Sequence, residues 1–346
     1  MNNLKYIFFL LIIAGIQVAC EKNITSPTGQ NTSHDTWLVD TEDLLYMGSE
    51  KDRIQSIDTP VFVPIQSFHL NDHELVFSIQ IDGITKVYPQ SALGMHEVVN
   101  DQIGNYFYAV TFCPLTGSGI AWNRTINGKV TEFGVSGMLY RDNLIPYDRN
   151  TLSNWSQMKG ICINGELIGY DLEEVPLITS TFSMLKKAFP DAMILDHTAC
   201  GEGICGNLRD ESDFGDPENT IDLPPDKQYF GIADDPSLLL FDIEFFNDSV
   251  QINHTIFKNH KLLIIGNKEE QYYSAFIYYE DFVGNTFYTI QNNLPEIMKD
   301  DAGNTFDIFG NVVAGPAIGI RLTSPNSYRA HTFAWQAIFS EINIYE

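Results

Sequence analysis

Within VTFCPLTGSGIAW (110–122), Cys113 closes an apolar run, Pro114 stops strand pairing, and a Thr-Gly-Ser-Gly turn follows. A thiol at a strand end beside a glycine-rich loop can act as a nucleophile or a soft-metal ligand, but only as the thiolate. That form needs a neighbouring base or cation. His96 is the candidate base, because segment 89–100 reads as a helix that closes at Asn100-Asp101 and turns into the Cys113 strand. Ser118 and the N–H groups of the turn would serve as oxyanion or anion donors. Such a pair suits acyl or thiol transfer, with Cys113 as nucleophile, or the binding of copper(I) or zinc(II). The competing reading packs Cys113 as a small apolar residue and sets His96 against a carbonyl at a helix end.

A second group lies in YRDNLIPYDRNTLSNWSQ (140–157), where Tyr147, Asp148, Arg149, Trp155 and Gln157 combine polar tips with large apolar bodies. With Ser118, residues Tyr147, Arg149 and Trp155 could line a ligand pocket in which Arg149 holds a carboxylate. The reading set against this, and preferred here, is an Asp–Arg clamp on a turn with Trp155 in the core. Other patterns fail on spacing. FGVSG places Ser136 directly before Gly137, unlike the G-x-S-x-G elbow, and DDAGNTFD and DESDFGD miss the ligand positions of a calcium loop. Cys162, in GICING, reads as a buried apolar residue, and Cys200 and Cys205 bracket a turn that could close a disulfide in an oxidising compartment.

The elements that must position these groups are mostly strands. Apolar residues alternate on both sides of Asp82-Gly83, Asn127-Gly128 and Asn164-Gly165, which are turn signals. Helical spacing occurs only at 89–100, 180–190 and 330–340. The expected class is α+β, β-rich, in two related β-dominated units with a few short helices. GICINGELIGYDL (160–172) and GNVVAGPAIGIRL (310–322) share their glycines at identical spacing, and TFSMLKKAF and TFAWQAIF follow them. HEVVND (96–101) faces HTIFKN (254–259), so His254 would be the counterpart of His96, which argues for a structural histidine in both. Opposite TFCPLTGSG stands IIGNKEEQY, without a thiol. The units are placed at 46–200 and 238–346, the second degenerate, with 201–237 as an acidic linker or insertion.

Twenty basic and 45 acidic residues leave a net charge of −25, which repels nucleic acid and anionic headgroups. An apolar fraction of 44% is that of a globular chain. At the N-terminus, Lys5, the apolar YIFFLLIIAGIQV and Ala19 before Cys20 resemble a bacterial lipoprotein signal. That resemblance implies a signal peptide over 1–19, a lipidated Cys20 holding the protein to a membrane of the cell envelope, and a polar tether over 20–45.

DTPVF, MHEVVND, VTFCPLTGSGIAWNR, FGVSGMLYRDNLIPYDRNTLSNWSQ, GELIG and AFPDAMIL, in unbroken order from about 50 to about 200, resemble the prokaryotic domain-of-unknown-function family 3179. The resemblance implies no activity. Many members carry a second cysteine three residues after the first, where this chain has Thr116, so a two-thiol mechanism is not expected. The leading expectation is an envelope lipoprotein binding a small ligand or a soft metal, copper or zinc, through His96 and Cys113. The alternatives are a cysteine-dependent enzyme using the same pair, or a structural or partner-binding module.

Overall fold

Antiparallel hairpins turning on Asx-Gly pairs build most of the chain. The computed structural model describes residues 36–48, 50–197, 223–278, 282 and 284–345. Strand makes up 49% and helix 11%, so the β-rich class holds, with three short helices.

The first half begins with β1 (Leu44–Tyr46) and β2 (Phe62–Pro64). The hairpin β3 (Leu75–Ile81) and β4 (Ile84–Pro89) turns at Asp82-Gly83, where both residues take the positive φ that this turn requires, 50° and 76°. Pro89 leads into α1 (Gln90–His96), which ends as Glu97 turns left-handed, φ 58°. A meander follows: β5 (Val98–Ile103), β6 (Tyr106–Cys113) and β7 (Ser118–Asn123). The small hairpin β8 (Thr125–Ile126) and β9 (Lys129–Val130) turns at Asn127-Gly128. Next come β10 (Phe133–Tyr140), β11 (Asn143–Asp148), β12 (Asn154–Ser156), β13 (Ile161–Asn164) and β14 (Glu174–Val175). Strand β15 (Ile178–Thr181) runs into α2 (Phe182–Ala188), whose capping Thr181 side chain accepts from the Met184 N–H, and β16 (Met193–Leu195) closes the half.

The second half holds the hairpin β17 (Gln228–Asp234) and β18 (Ser237–Asp242), then the meander β19 (Gln251–Phe257), β20 (His260–Asn267) and β21 (Tyr272–Ile277). It continues through β22 (Phe287–Thr289), β23 (Glu296–Asp300), β24 (Thr305–Asp307) and β25 (Val312–Ala314). It ends with β26 (Ser327–His331), α3 (Thr332–Ile338) and β27 (Glu341–Ile344).

The sheets of the two halves are connected in the same order. β15-β3-β4-β16-β2 stands beside β26-β17-β18-β27, with β4–β16 and β18–β27 the parallel pairs. β10-β11-β12-β13 stands beside β22-β23-β24-β25. The glycine-spaced segments share a backbone: Gly165 and Gly315 sit at φ 106° and 108°, and Gly169 and Gly319 at 83° and 90°. Leu172 N–H bonds Gly160 C=O at 2.8 Å, and Leu322 N–H bonds Gly310 C=O at 2.9 Å. A Cβ on Gly165 would fall 2.7 Å from Ser153, and one on Gly315 would fall 2.4 Å from the Gly303 oxygen, so close backbone approach demands both glycines.

The halves meet reciprocally along a seam. The N–H of Thr181, ending β15, bonds Glu270 C=O in the β20–β21 turn, and the N–H of His331, ending β26, bonds Thr116 C=O in the β6–β7 turn, both at 2.9 Å. One apolar core joins Trp122 and Trp155 of the first half to Tyr328 and Trp335 of the second. Each such aromatic, fully buried, contributes roughly 4–6 kcal/mol of gross transfer energy, so this core ties the halves firmly.

Several boundaries differ from the sequence reading. Helix α1 stops at His96, and Asn100 and Asp101 lie inside β5, because the left-handed Glu97 ends the helix early. Residues 36–45 of the expected tether belong to the fold: Trp37 bridges Asn164, and Trp37, Val39 and Leu44 pack on the core. The expected linker to 237 contains β17, a central strand whose buried Tyr229, Phe230 and Ile232 outweigh the acidic residues around it. His254 sits inside β19 opposite Leu263, at the meander position that Asn100 occupies in β5, so it is not the counterpart of His96. The N-terminal segment through 35, Cys20 included, and Cys200 and Cys205 lie outside the described residues. No described helix is long and apolar enough to cross a membrane.

Candidate functional site

Cys113 ends β6 as its sequence implies, but it is 2% exposed and packs with Val98, Ala109, Ile120 and Trp122. Its Sγ donates to Asp142 C=O at 3.6 Å. Burial pushes the thiol up; the Thr116 hydroxyl pulls against this, and Glu97 adds to it. Glu97 is itself pushed up to about 7 by burial. The ionisable group acting on the thiol is thus a carboxyl, which opposes the thiolate that a nucleophile or metal ligand requires. His96 is half-buried, and its Nδ1 donates to Gln55 C=O at 2.7 Å, the helix-end role of the competing reading. Among the described residues, no group of three or more His, Cys, Asp or Glu is arranged to hold a metal ion, so nothing here adds weight to copper or zinc.

The polar side chains of the loop after Cys113 are tied to one another by hydrogen bonds. Ser118 Oγ, fully buried, donates to Gln157 Oε1 at 2.7 Å, and Thr116 Oγ1 lies 2.8 Å from Ser118 Oγ. Asn143 Nδ2 donates to the same Gln157 oxygen at 2.7 Å, and Gln157 Nε2 reaches Thr111 Oγ1 and Ser118 C=O. Every member is satisfied, so the network rigidifies the loop. Asn143 carried no sequence signal.

The second predicted group divides. Trp155 is core, and its Nε1 donates to Asp148 Oδ2 at 3.2 Å. Asp148 also accepts from the N–H and hydroxyl of Thr151, both at 2.7 Å, so it clamps the β11–β12 turn without Arg149. Arg149 pairs instead with Asp58 at 2.5 Å, Glu132 at 3.0 Å and Asp52 at 3.4 Å. Tyr147 donates its hydroxyl to Asp52 Oδ2 at 2.5 Å. The guanidinium already faces three carboxylates of the chain, so a ligand carboxylate would meet an excess of negative charge there.

Two open spaces among the described residues lie on the seam. The larger, about 50 Å³, is walled by Gly119–Ala121 of β7, Glu174–Ile178, Tyr273 and Ser274, and Ser324–Tyr328. The smaller, about 30 Å³, is walled by Leu75, Phe77, Gln90, Gly117, Gly119, Thr179, Gln228 and Arg329. At about 12 Å³ per water, these hold about four and two water molecules. His96, Cys113, Ser118, Tyr147, Arg149 and Trp155 line neither, whereas Gly117 and Gly119 of the predicted loop do. The first half uses small residues at this seam, although the Phe77 ring, 2.3 Å from where a Gly119 Cβ would lie, takes the room that Gly119 leaves. Gly119 is the second residue of β7 where β21 has Tyr273, and Thr179 lies two residues before its helix cap where β26 has Arg329.

Arg329 is the unusual group. It is 9% exposed, its Nη2 donates to Gln228 Oε1 at 2.5 Å, and its guanidinium lies 5.5 Å from the Tyr273 ring centre. Its Nε and Nη1 find no partner among the described residues, nor does the buried Tyr273 hydroxyl. Burial pushes the guanidinium down; the one group pulling it back up is Tyr273 rather than a carboxylate. The Tyr273 phenol is pushed up to about 12, and the Glu174 carboxyl in the larger cavity up to about 8, both by burial. In sequence, Arg329 was one basic residue in SYRAH, with nothing to separate it from a solvated strand position.

The family model described as a protein of unknown function, DUF3179, matches residues 51–342, which takes in both halves. No curated protein and no solved structure matches the chain.

Proposed function

The chain belongs to the DUF3179 family of proteins of unknown function, a description that assigns no activity, and from the site itself we propose a lipid-anchored envelope protein that binds a small molecule in the seam between its halves. The observation that carries the reading is that two residues lining the cavities hold buried polar atoms without partners among the described residues: Nε and Nη1 of Arg329 and the hydroxyl of Tyr273. Native proteins satisfy nearly all such groups, and an exception beside a cavity calls for an occupant. The pattern of Lys5, an apolar run and Ala19-Cys20 supports the anchor. The shared sheet order and paired glycine loops support reading the halves as two copies of one unit. In that reading, the first copy keeps small residues at the seam and the second supplies the large polar ones.

Native mass spectrometry of the full-length protein, gently extracted from its own membrane, tests the binding. A bound small-molecule mass that is released on unfolding, and is missing in the cavity-filling Thr179→Leu variant, is the expected result. A wild type with no bound mass, and no thermal response to any member of a metabolite panel, overturns it. Cys20→Ser should move the protein from the membrane to the soluble fraction.

A further inference from the structure

Resting on the seam reading, we propose that the ligand is a small monocarboxylate, held by Arg329 in the smaller cavity with a short apolar body against Leu75 and Phe77. The chain has 45 acidic residues, yet none pairs with Arg329 among those described. A buried cation with one hydrogen bond and no counter-ion is strongly disfavoured, and an anion from outside completes it. The cavity, about 30 Å³, holds the equivalent of about two waters, which limits the ligand to the smallest carboxylates.

Charge narrows the class further. Among the described residues, Arg329 is the sole cationic side chain lining either cavity, and the chain carries a net charge of −25. One positive charge matches one negative charge. A phosphate dianion would bring an unmatched charge against apolar walls in a repelling field. The Gln90 and Gln228 amides supply neutral polar contacts, and Leu75 and Phe77 supply the apolar remainder. Tyr273, its ring against the guanidinium, fixes the donor from behind.

The test titrates purified full-length protein with propionate, its uncharged analogue propionamide, and inorganic phosphate, for wild type, Arg329→Gln, Arg329→Lys and Thr179→Leu. Propionate should bind saturably and raise the melting temperature. Propionamide and phosphate should bind at least about tenfold more weakly, since one charge-assisted hydrogen bond is worth that factor. Arg329→Gln should lose at least about tenfold in propionate affinity, and Arg329→Lys should keep part of it. Equal binding of propionamide, or full propionate affinity in Arg329→Gln, overturns the carboxylate assignment. If Thr179→Leu then still blocks both ligands, the seam reading stands while the assignment falls. If nothing in the panel binds, the assignment falls, and the native mass measurement judges the seam on its own.

Discussion

Replacing Arg329 with methionine should leave the unliganded protein as stable as the wild type or more so, although removing a buried, hydrogen-bonded side chain usually destabilises. The substitution loses the bond to Gln228 Oε1 at 2.5 Å, about 1.5–3 kcal/mol, and the contact with the Tyr273 ring, about 0.5–2 kcal/mol. Against that, it removes a buried charge whose burial costs several kcal/mol, together with two unpaired nitrogens worth about 1–3 kcal/mol each. The charge and the unpaired nitrogens are one desolvation cost and count once, which leaves a balance between zero and about 3 kcal/mol of added stability. At about 2 °C per kcal/mol for a domain of this size, the melting temperature should rise by up to about 6 °C. Thermal melts with and without propionate read both effects, because the variant should gain stability and lose its response to the ligand. Arg149→Met is the contrast: it strands Asp52, Asp58 and Glu132 and should cost about 1–3 kcal/mol, discounted for its partial exposure. Should Arg329→Met lower stability by about 3 kcal/mol or more, the guanidinium is fully paired in the free protein and the case for an outside anion collapses.

The sealed thiol of Cys113 should react with maleimide only on unfolding, read by peptide mapping; rapid labelling of the native protein would contradict its burial. Glu174 holds its proton in the fold up to about 8, whereas the unfolded group releases it near 4.5. The folded state therefore binds more protons between these values, and Glu174 makes stability fall as pH rises toward 8, by at most about 1.4 kcal/mol per pH unit. Glu174→Gln should flatten that slope in urea titrations across pH 5 to about 9, and an unchanged slope would refute the assignment. Asp148→Ala strands three donors and Asp300→Ala the equivalent three at the N–H and side chain of Asn304 and at Asn285, so each should cost about 2–5 kcal/mol in urea unfolding. A large loss at one turn and none at the other would show that the two turns are not equivalent.

What the chain reveals without coordinates depends on how local the physics is. Asp82-Gly83 and Asn127-Gly128 announced their hairpins because positive φ is a property of those residues. The shared spacing of Gly160, Gly165 and Gly169 with Gly310, Gly315 and Gly319 marked one backbone shape, since each glycine answers a local steric demand. Thr181 before Phe182 marked a helix start by the same logic. The site was not legible in this way. Cys113 and His96 look poised in sequence, but packing buries the thiol and turns the imidazole to Gln55. Arg329 acquires its character only when folding brings Phe77, Thr179 and Gln228, distant from one another in sequence, around one cavity with it. His254 looks like a partner of His96 because residue matching in a β-rich chain tolerates a shift that only hairpin pairing resolves, and β17 is hidden in sequence by the acidic residues around it.

The most direct test is a crystal structure of the protein grown with propionate. A carboxylate oxygen within about 3.2 Å of the Arg329 guanidinium, with the hydrocarbon toward Leu75 and Phe77, is the predicted result. An Asp or Glu of the chain itself resting on that guanidinium, or propionate bound only elsewhere, would contradict it.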